Sequence, residues 1–323
     1  MLELLDGSHP PPPAQDEVLV RVLSRPVHPG DLIGVRGGYR PQGSSAIAPA
    51  GVGRPGFEGF GIVEALGAGH SKGLALGSRV AFFPAKGAWG EQVLAPVQFV
   101  TPVPDGVSDA IASQLHVNPL TAAMLLRAAS GSGLEASDLI VFSAAGSAVA
   151  RLAIKLALGK GLSVVGLVRS NQGAESLQTM FPEAAILSTE AADWPDRLRA
   201  IAGKRPIRAV LDPVGGQMAG RLIDLLADGG AFIGYGDLSG EPIPVQPLVF
   251  PVRGLRMSGV SVGRWAGLSE AERTEDIKMA LELAHRSPEL FSVAAEYDLS
   301  AITEAVAHAE QPGRSGTVLL TSK

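Results

Sequence analysis

The sequence contains no cysteine among its 323 residues, and this absence removes several kinds of chemistry at once. A chain without cysteine has no disulfide bond, no thiolate nucleophile and no cysteine-ligated structural zinc. The absence does not by itself assign a compartment, and a cytoplasmic location is the simplest expectation.

Charge is also scarce: charged residues make up 18% of the chain, the net charge is -5, and no run of Lys or Arg occurs. A protein that binds nucleic acid through its phosphates needs a basic patch or stripe. We therefore expect no nucleic-acid partner.

Long apolar stretches are missing as well, and none is long enough to cross a bilayer. The N-terminal segment MLELLDGSHPPPP has neither the basic region nor the apolar region of a signal peptide. We expect a soluble protein without a membrane partner.

What the chain does have is apolar content of 46%, together with 40 Gly and 24 Pro. This length and composition suit two domains with large cores and many turns. Short alternating strands at residues 17–24, 61–67 and 78–84, separated by Gly and Pro, predict a small, irregular β-barrel in the first third.

The rest of the chain alternates helices with buried strands. Residues 109–129 favour helix, with Asn118 and Pro119 opening a second helix. From residue 137 apolar strands alternate with amphipathic helices, which predicts an α/β domain with a doubly wound parallel sheet. Residues 291–320 favour a strand, a helix and a closing strand.

The turn after the strand LIVF is SAAGSAVA, residues 143–150, and a helix follows directly. Small residues let a backbone approach a pyrophosphate, which the helix N-terminus then binds. The glycines of a GxGxxG motif would fall on Ala145, Ser147 and Ala150, so the motif is not met. On the loop alone, an ordinary small-residue turn is an equal alternative.

The next strand ends in Arg169, Ser170 and Asn171. NAD-specific domains place an acidic residue at about this point, where it binds the ribose 2′-OH. A guanidinium instead pairs with the 2′-phosphate of NADPH. The sequence therefore favours NADPH over NADH, although a solvated arginine at a strand end is a common alternative.

Six segments, in order, carry a resemblance to a known family: HPGDLIGVRGGY, GRPGFEGFGIV, VNPLTAAMLL, FSAAGSAVARLAIKLA, VLDPVGGQMAGRLIDLLADGGAFIGYG and GRSGTVLL. They span nearly the whole chain, which resembles the zinc-free branch of the medium-chain dehydrogenase/reductase superfamily. Within it, the chain is most similar to mitochondrial-type trans-2-enoyl-CoA/ACP reductases and to quinone oxidoreductases.

The resemblance implies a GroES-like β-barrel catalytic domain, residues 1–115 completed by 288–323, and a Rossmann NADPH-binding domain, residues 116–287. It implies that the cofactor lies in the cleft at the carboxyl ends of the parallel strands. Residues 255–263 are predicted to form an edge strand that pairs with a second copy in a homodimer.

Zinc ligands of the superfamily are replaced in this sequence. His28 stands where zinc dehydrogenases have a ligating Cys, and Phe57 stands where they have a ligating His. A catalytic zinc needs at least three protein ligands. The resemblance therefore implies an enzyme without metal, in which His28 is a polar residue packing under the site.

The resemblance assigns catalysis to Tyr39, which ends the first motif and is one of only three tyrosines. Reduction of an enoyl thioester places hydride on the β-carbon and negative charge on the thioester oxygen. The Tyr39 hydroxyl can stabilise that enolate and donate the α-proton. The alternative is a loop tyrosine that stacks on a neighbour.

Cofactor contacts are implied in the same way. Asn118 is expected to bind the nicotinamide ribose or carboxamide, and it can also cap the helix before Pro119. Phe57 and Trp265 are expected to line an acyl pocket, with core packing as the alternative. The other implied cofactor residues are Ser147, Ala148, Val149, Ala150, Arg169, Ser170, Tyr235, Gly236, Asp237, Leu238 and Val260.

Three positions depart from the reductases that the chain resembles most. His28 stands where they have Asn, Asp237 stands where they have Gly, and Gly316 stands where they carry a basic residue, with Arg314 close by.

Three functions follow from these observations. The first is an NADPH-dependent 2-enoyl thioester reductase. The second is an NADPH:quinone or enone oxidoreductase, which does not depend on Tyr39 in the same way. The third is a non-catalytic NADPH-binding or RNA-binding protein, and the acidic charge opposes RNA binding. In the first two the partner is a small-molecule substrate.

Overall fold

A computed structural model of the chain describes residues 2, 7, 9–36, 54–69, 73–135 and 137–322. The chain divides into a first unit, Met1–Val117 with Gly263–Lys323, and a second unit, Asn118–Val262. In this division Trp265 belongs to the first unit, where it packs against the rings of Phe83 and Phe99. The predicted domain bounds, with residues 288–323 completing the first domain, stay a prediction.

The described residues form thirteen strands and ten α-helices. The strands are β1 (Glu17–Pro26), β2 (Gly59–Leu66), β3 (Arg79–Phe82), β4 (Gln92–Pro96), β5 (Val100–Pro102), β6 (Leu139–Phe142), β7 (Ser163–Val168), β8 (Ala185–Ser188), β9 (Ile207–Asp212), β10 (Ala231–Gly234), β11 (Arg256–Gly259), β12 (Val293–Asp298) and β13 (Thr317–Thr321). The helices are α1 (Pro29–Val35), α2 (Asp109–Ala112), α3 (Val117–Ser130), α4 (Ala148–Gly159), α5 (Asn171–Met180), α6 (Trp194–Ala202), α7 (Gly216–Leu225), α8 (Val249–Arg253), α9 (Glu270–Arg286) and α10 (Ile302–Ala309). Within these ranges, no helix has the length and apolarity needed to span a membrane.

The first unit is built around β1. This strand pairs antiparallel with β2, β4 and β13, and the sheet runs in the order β12-β13-β1-β2-β3-β5. Val18, Val20 and Val22 are fully buried, because successive side chains of a strand point to opposite faces and one face packs on the core. The predicted strands at 17–24, 61–67 and 78–84 are confirmed, and β4 and β5 were not predicted.

The core of the first unit also buries a charge, Arg25 on β1. Its side chain is fully buried and donates one hydrogen bond, from Nη2 to Ser322 Oγ at 2.8 Å. Nε and Nη1 have no partner among the described residues. Desolvation lowers the pKa of Arg25 to about 10, while the negative charges of Glu91 and Asp298 oppose the shift.

The second unit is an α/β domain with a parallel sheet in the order β8-β7-β6-β9-β10-β11. The predicted doubly wound sheet is confirmed. Its strands are nearly continuous apolar runs because helices cover both faces, and Val141, Val165 and Val210 are fully buried. The strand order reverses between β6 and β9, and ligands of open α/β sheets bind beyond the carboxyl ends of the strands at such a point.

One edge of this sheet is β11, which is parallel to β10 and has no second partner strand among the described residues. All four of its residues are exposed, Met257 by 48%. It is shorter than the predicted strand 255–263, because the chain turns into a 3-10 helix at Val262.

Candidate active site

His28 lies directly before α1 in the first unit, and its side chain is held by a carboxylate. The His28 ring Nε2 is 2.5 Å from Glu58 Oε1, and the His28 backbone N–H donates to Asp31 Oδ2 at 2.9 Å. Glu58 engages Nε2, so Nδ1 is the ring nitrogen that this carboxylate does not contact. About 10% of the His28 side chain remains accessible.

Glu58 is almost completely buried, and both of its oxygens are engaged. Oε2 accepts hydrogen bonds from the backbone N–H groups of His116 (3.1 Å) and Val117 (2.8 Å). A carboxylate that accepts several N–H bonds is fixed in its orientation. Glu58 therefore keeps Oε1 directed at the His28 ring.

The same bonds explain why Asn118 is not the cap of its helix. α3 begins at Val117, so Asn118 is its second residue and the alternative expectation of an N-cap is wrong. The first N–H groups of a helix lack partners within it. Here Glu58, which is distant in sequence, supplies the acceptor.

Charge around His28 favours its protonated form. Desolvation opposes protonation, but the hydrogen bond and charge of Glu58, with the charge of Asp31, outweigh it and raise the pKa of His28. The positive charge of Arg314 acts against them. Desolvation also raises the pKa of Asp31, to about 6, although His28 opposes this shift.

A second buried histidine in the same unit has the opposite character. His116 Nε2 lies 3.0 Å from Thr101 Oγ1, and its ring stacks with Phe83 at 6.3 Å between centroids. Desolvation lowers the pKa of His116 to about 4, with Glu58 opposing. At neutral pH His116 is therefore uncharged, whereas the surroundings of His28 favour its protonated form.

The two predicted pocket aromatics lie in different settings. Phe57 is half-buried. Trp265 is 2% exposed, donates from Nε1 to Asp276 Oδ2 at 3.1 Å, and packs against Phe83 and Phe99. Trp265 is thus a core residue of the first unit that also borders a cavity of about 170 Å³. That either ring contacts an acyl chain stays a prediction.

Tyr39 lies outside the described residues. Its predicted role in proton donation therefore rests on the sequence.

The described side chains of the first unit do not fit a catalytic zinc. His28 offers at most one ring nitrogen, because Glu58 engages Nε2, and Phe57 offers no ligand atom. Asp31 Oδ2 accepts a backbone hydrogen bond. Across the described ranges, no three His, Asp or Glu side chains are grouped as a metal site, whereas a catalytic zinc needs three protein ligands.

The turn between β6 and α4 in the second unit is the candidate phosphate loop. Ser143 Oγ donates to Asp212 Oδ1 at the end of β9, and Asp212 Oδ2 accepts from the N–H groups of Val214 (3.1 Å) and Gly215 (2.7 Å). Desolvation raises the pKa of Asp212, and these bonds oppose the rise. The carboxylate thus joins the loops that follow β6 and β9, where the strand order reverses.

Backbone geometry in this loop is strained at Ala144, whose φ is +45°. A non-glycine residue in this region costs about 1–3 kcal/mol, and such strain concentrates at functional sites. The loop also packs closely on β7, because a Cβ on Gly166 would lie 3.0 Å from the Cβ of Ala145.

Helix α4 begins directly behind this loop. Ser147 is its N-cap, and the hydroxyl accepts from the Ala150 N–H at 3.3 Å. Ala148 and Val149 lie in the first turn, where N–H groups have no acceptor within the helix. These N–H groups and the positive end of the helix dipole fit a pyrophosphate.

At the end of β7, Arg169 and Ser170 are exposed, and Ser170 caps α5 by accepting from Gly173 N–H at 3.1 Å. None of the salt bridges of the described residues involves Arg169. That Arg169 binds a 2′-phosphate stays a prediction.

The segment after β10 brings Tyr235 to the same edge. Its buried hydroxyl makes no hydrogen bond of good geometry with the described residues. Burial raises the pKa of the phenol, Ser147 opposes the rise, and Asp212 adds to it. A buried hydroxyl close to the phosphate loop fits a role in binding a cofactor.

Several other predicted cofactor residues follow β10 or the neighbouring strand β11. Gly236 and Asp237 are exposed, as is Leu238, whose N–H donates to Pro213 O at 3.0 Å. Val260 follows β11 and donates to Gly234 O at 2.9 Å. Asn118, at the start of α3, is buried.

Three carboxylates were missed by sequence reasoning: Glu58, Asp31 and Asp212. Each is almost completely buried. Glu58 carried a signal, since a lone acid within the glycine-rich, apolar segment PGFEGFG has to be buried and paired.

Comparison with known proteins finds two matching family models. A family model described as "Alcohol dehydrogenase GroES-like domain" matches residues 14–105, and one described as "Zinc-binding dehydrogenase" matches residues 148–285. A mitochondrial enoyl-[acyl-carrier-protein] reductase of Dictyostelium discoideum is 26% identical over 316 residues, which cover 94% of this chain and 86% of that protein.

Solved structures share the fold. A Bacillus thuringiensis protein provisionally named NADPH:quinone reductase has a TM-score of 0.84 and 26% identity, covering 98% of this chain and 93% of its own. The Escherichia coli quinone oxidoreductase complexed with NADPH has a TM-score of 0.83 and 24% identity, with coverages of 98% and 94%.

Proposed function

The chain belongs to the medium-chain dehydrogenase/reductase superfamily, and we propose that within it this protein is an NADPH-dependent reductase of 2-enoyl thioesters. The observation that carries the proposal is the similarity to an enoyl-[acyl-carrier-protein] reductase over 94% of the chain. We assign catalysis to the first unit and cofactor binding to the second.

The described residues of the second unit support NADPH as the cofactor. The first turn of α4, from Ser147 to Ala150, would hold the pyrophosphate, and Arg169 with Ser170 would hold the 2′-phosphate. Asn118, Tyr235, Gly236, Asp237, Leu238 and Val260 would complete the site. When bound, NADPH supplies the hydride.

On the substrate side, the reaction needs a donor for the α-carbon. Hydride addition to the β-carbon moves the C=C electrons toward the thioester oxygen, and a proton must then reach the α-carbon. The Tyr39 hydroxyl is the donor that we assign, and solvent returns the proton to its phenolate. Phe57 and Trp265 would border the acyl chain.

Quinone or enone reduction is the second candidate, supported by the name of the Bacillus thuringiensis protein. A quinone accepts hydride without a donor at carbon, so this activity does not require Tyr39. Although one matching family is described as zinc-binding, we propose that neither activity requires zinc, because the ligand positions hold His28 and Phe57.

Assembly and location are further parts of the proposal. We assign the protein as a homodimer that pairs through the exposed edge strand β11. A cytoplasmic location stays a prediction, since the Dictyostelium relative is named mitochondrial.

The test is NADPH oxidation by the parent and by Tyr39→Phe, with crotonyl-CoA, longer enoyl-CoAs and quinones as substrates. For the variant we expect nearly unchanged NADPH binding, a fall in kcat of about 10²–10⁴ on enoyl thioesters, and near-parental quinone reduction. Prior dialysis against a strong chelator should leave the parental rates unchanged.

The other outcomes are informative. Loss of both activities in Tyr39→Phe at an unchanged thermal midpoint would make Tyr39 a structural or cofactor-positioning residue. No effect on either substrate would favour the quinone reductase. NADPH binding without turnover of any substrate would leave a non-catalytic binding protein, and stoichiometric zinc in active protein would refute zinc independence.

A further inference from the structure

We infer that His28 is a catalytic residue of the first unit, whose Nδ1–H, with Nε2 held by Glu58, donates a hydrogen bond to the substrate oxygen that becomes negative. The inference rests on the proposed function and refines it. Tyr39 keeps the α-carbon proton, while stabilisation of the oxygen passes to His28.

The place of His28 in the sequence supports this role. In the zinc dehydrogenases that the chain resembles, a metal ligand stands at this position. Here the ligand set is incomplete, and the ring that replaces it is paired with a carboxylate at 2.5 Å. An imidazolium is a localised positive charge that can supply the polarisation that zinc gives in a metal site.

The pairing also fixes which nitrogen is available. Glu58 occupies Nε2 and is itself held by the backbone N–H groups of His116 and Val117. The ring therefore cannot flip without breaking a buried ion pair, which costs several kcal/mol. This leaves Nδ1 as the ring nitrogen that Glu58 does not engage, on a side chain that keeps about 10% of its surface accessible.

The groups that face His28 agree with a cation at this position. Glu58 and Asp31 are negative neighbours that favour the protonated ring, and Arg314 is the positive charge that opposes it. His116, the other buried histidine close to Glu58, has a pKa near 4 and adds no charge at neutral pH. Burial alone would lower the pKa of His28, and the paired carboxylate of Glu58 is the main cause that raises it.

The electron balance is that of the proposed reduction. Hydride forms the new C–H bond at the β-carbon, the C=C pair forms an enolate, and negative charge collects on the thioester oxygen opposite His28 Nδ1–H. When Tyr39 protonates the α-carbon, the carbonyl re-forms and His28 keeps its proton. A quinone carbonyl would receive the same hydrogen bond, so His28 acts on both candidate substrates.

The experiment compares His28→Gln, Glu58→Gln and Tyr39→Phe with His308→Gln as the matched control. His308 belongs to the same unit, and its ring is paired to the Tyr297 hydroxyl at 3.0 Å instead of to a carboxylate. We expect His28→Gln to lower kcat about 10²–10³-fold on both crotonyl-CoA and a quinone, with an unchanged Kd for NADPH. Tyr39→Phe should affect crotonyl-CoA alone.

The pH profile gives a second measurement. His28 is active when protonated and its pKa is raised, so kcat falls as the pH rises through a value above 6.5. This alkaline limb should disappear in His28→Gln, move to lower pH in Glu58→Gln, and persist in His308→Gln. Glu58 is a positioning residue, and this shift distinguishes it from a residue needed only for folding.

An activity-independent readout separates failure of this inference from failure of the proposed function. Imidazole NMR of the substrate-free protein should show one histidine with a raised pKa, absent from His28→Gln and lowered in Glu58→Gln. A His28 ring that is neutral at pH 7 refutes the inference whatever the enzyme reduces. So does a His28→Gln kcat within threefold of the parent. If the NMR result holds while neither substrate is turned over, the proposed function has failed and the assignment of His28 to these reactions falls with it.

Discussion

Replacement of Arg25 by Met should stabilise the protein, although it removes a charged residue and a hydrogen bond. Arg25 is fully buried, and only Nη2 has a partner among the described residues, Ser322. Its pKa is lowered from 12.5 to about 10, which corresponds to a penalty of about 3 kcal/mol on the charged form. Loss of the hydrogen bond between Arg25 and Ser322 offsets about 1–3 kcal/mol of the gain from removing this penalty.

Arg25→Met also buries an apolar side chain of similar length. Replacing buried ions by apolar groups often raises the free energy of unfolding by about 1–4 kcal/mol. Glu91 and Asp298 are exposed, so they stay hydrated without Arg25. We therefore expect the free energy of unfolding to rise by about 1–3 kcal/mol at pH 7. Urea unfolding followed by tryptophan fluorescence measures it.

Two controls sharpen the measurement. Arg21→Met changes an accessible arginine of the same strand, which is paired to Glu64 at 3.0 Å, and should move stability by less than about 1 kcal/mol. The folded-state pKa of Arg25 lies below its unfolded value, so the parent gains stability as the pH rises through about 10. The advantage of Arg25→Met should shrink there. Destabilisation by more than about 1 kcal/mol with Arg21→Met unchanged would refute the reasoning and show that Nε and Nη1 are satisfied.

Two further predictions concern the cofactor and the assembly. Arg169→Ala should weaken NADPH binding about 10–100-fold and NADH binding little, because only NADPH carries the 2′-phosphate. Fluorescence titration measures the affinity for both cofactors, with Arg221→Ala as the surface control. Equal losses for NADPH and NADH would show that Arg169 does not bind the 2′-phosphate. Met257→Glu on β11 should convert a dimer to a monomer in light scattering, because it places a charge on the pairing edge. Leu76→Glu, at another exposed apolar position, should leave the dimer intact, and a monomeric parent would overturn the assignment.

Local sequence pattern was sufficient for the central elements of both units. Apolar runs predicted β6 and β7, because a strand that is buried on both faces is apolar at nearly every residue. Alternation predicted β1, because a strand that is buried on one face has an apolar residue at every second position. The short strand β4 was not predicted, because its identity comes from pairing with β1 along residues 17–21. The place of Trp265 in the first unit also depends on tertiary contacts, its packing against Phe83 and Phe99.

The candidate site divides in the same way. The phosphate loop and Arg169 could be predicted, since a strand, a small-residue turn and a helix are contiguous in sequence. The role of Glu58 could not be predicted, because it bonds to His28 and to Val117 at the start of α3, which are respectively 30 and 59 residues away. Asp212 and Ser143 are likewise brought together across 69 residues of sequence.

The pairing of β1 with β13 has a consequence for synthesis of the protein on the ribosome. β1 leaves the exit tunnel well before Thr317–Thr321, because the whole second unit lies between these two strands in the chain. The second unit is contiguous and can fold during this interval. The strand edge of β1 that awaits β13 is meanwhile without its partner, and an unpaired edge is a template for aggregation. Chaperones that shield nascent chains would therefore act mainly on the first unit, and a chain released before β13 would be a substrate for degradation.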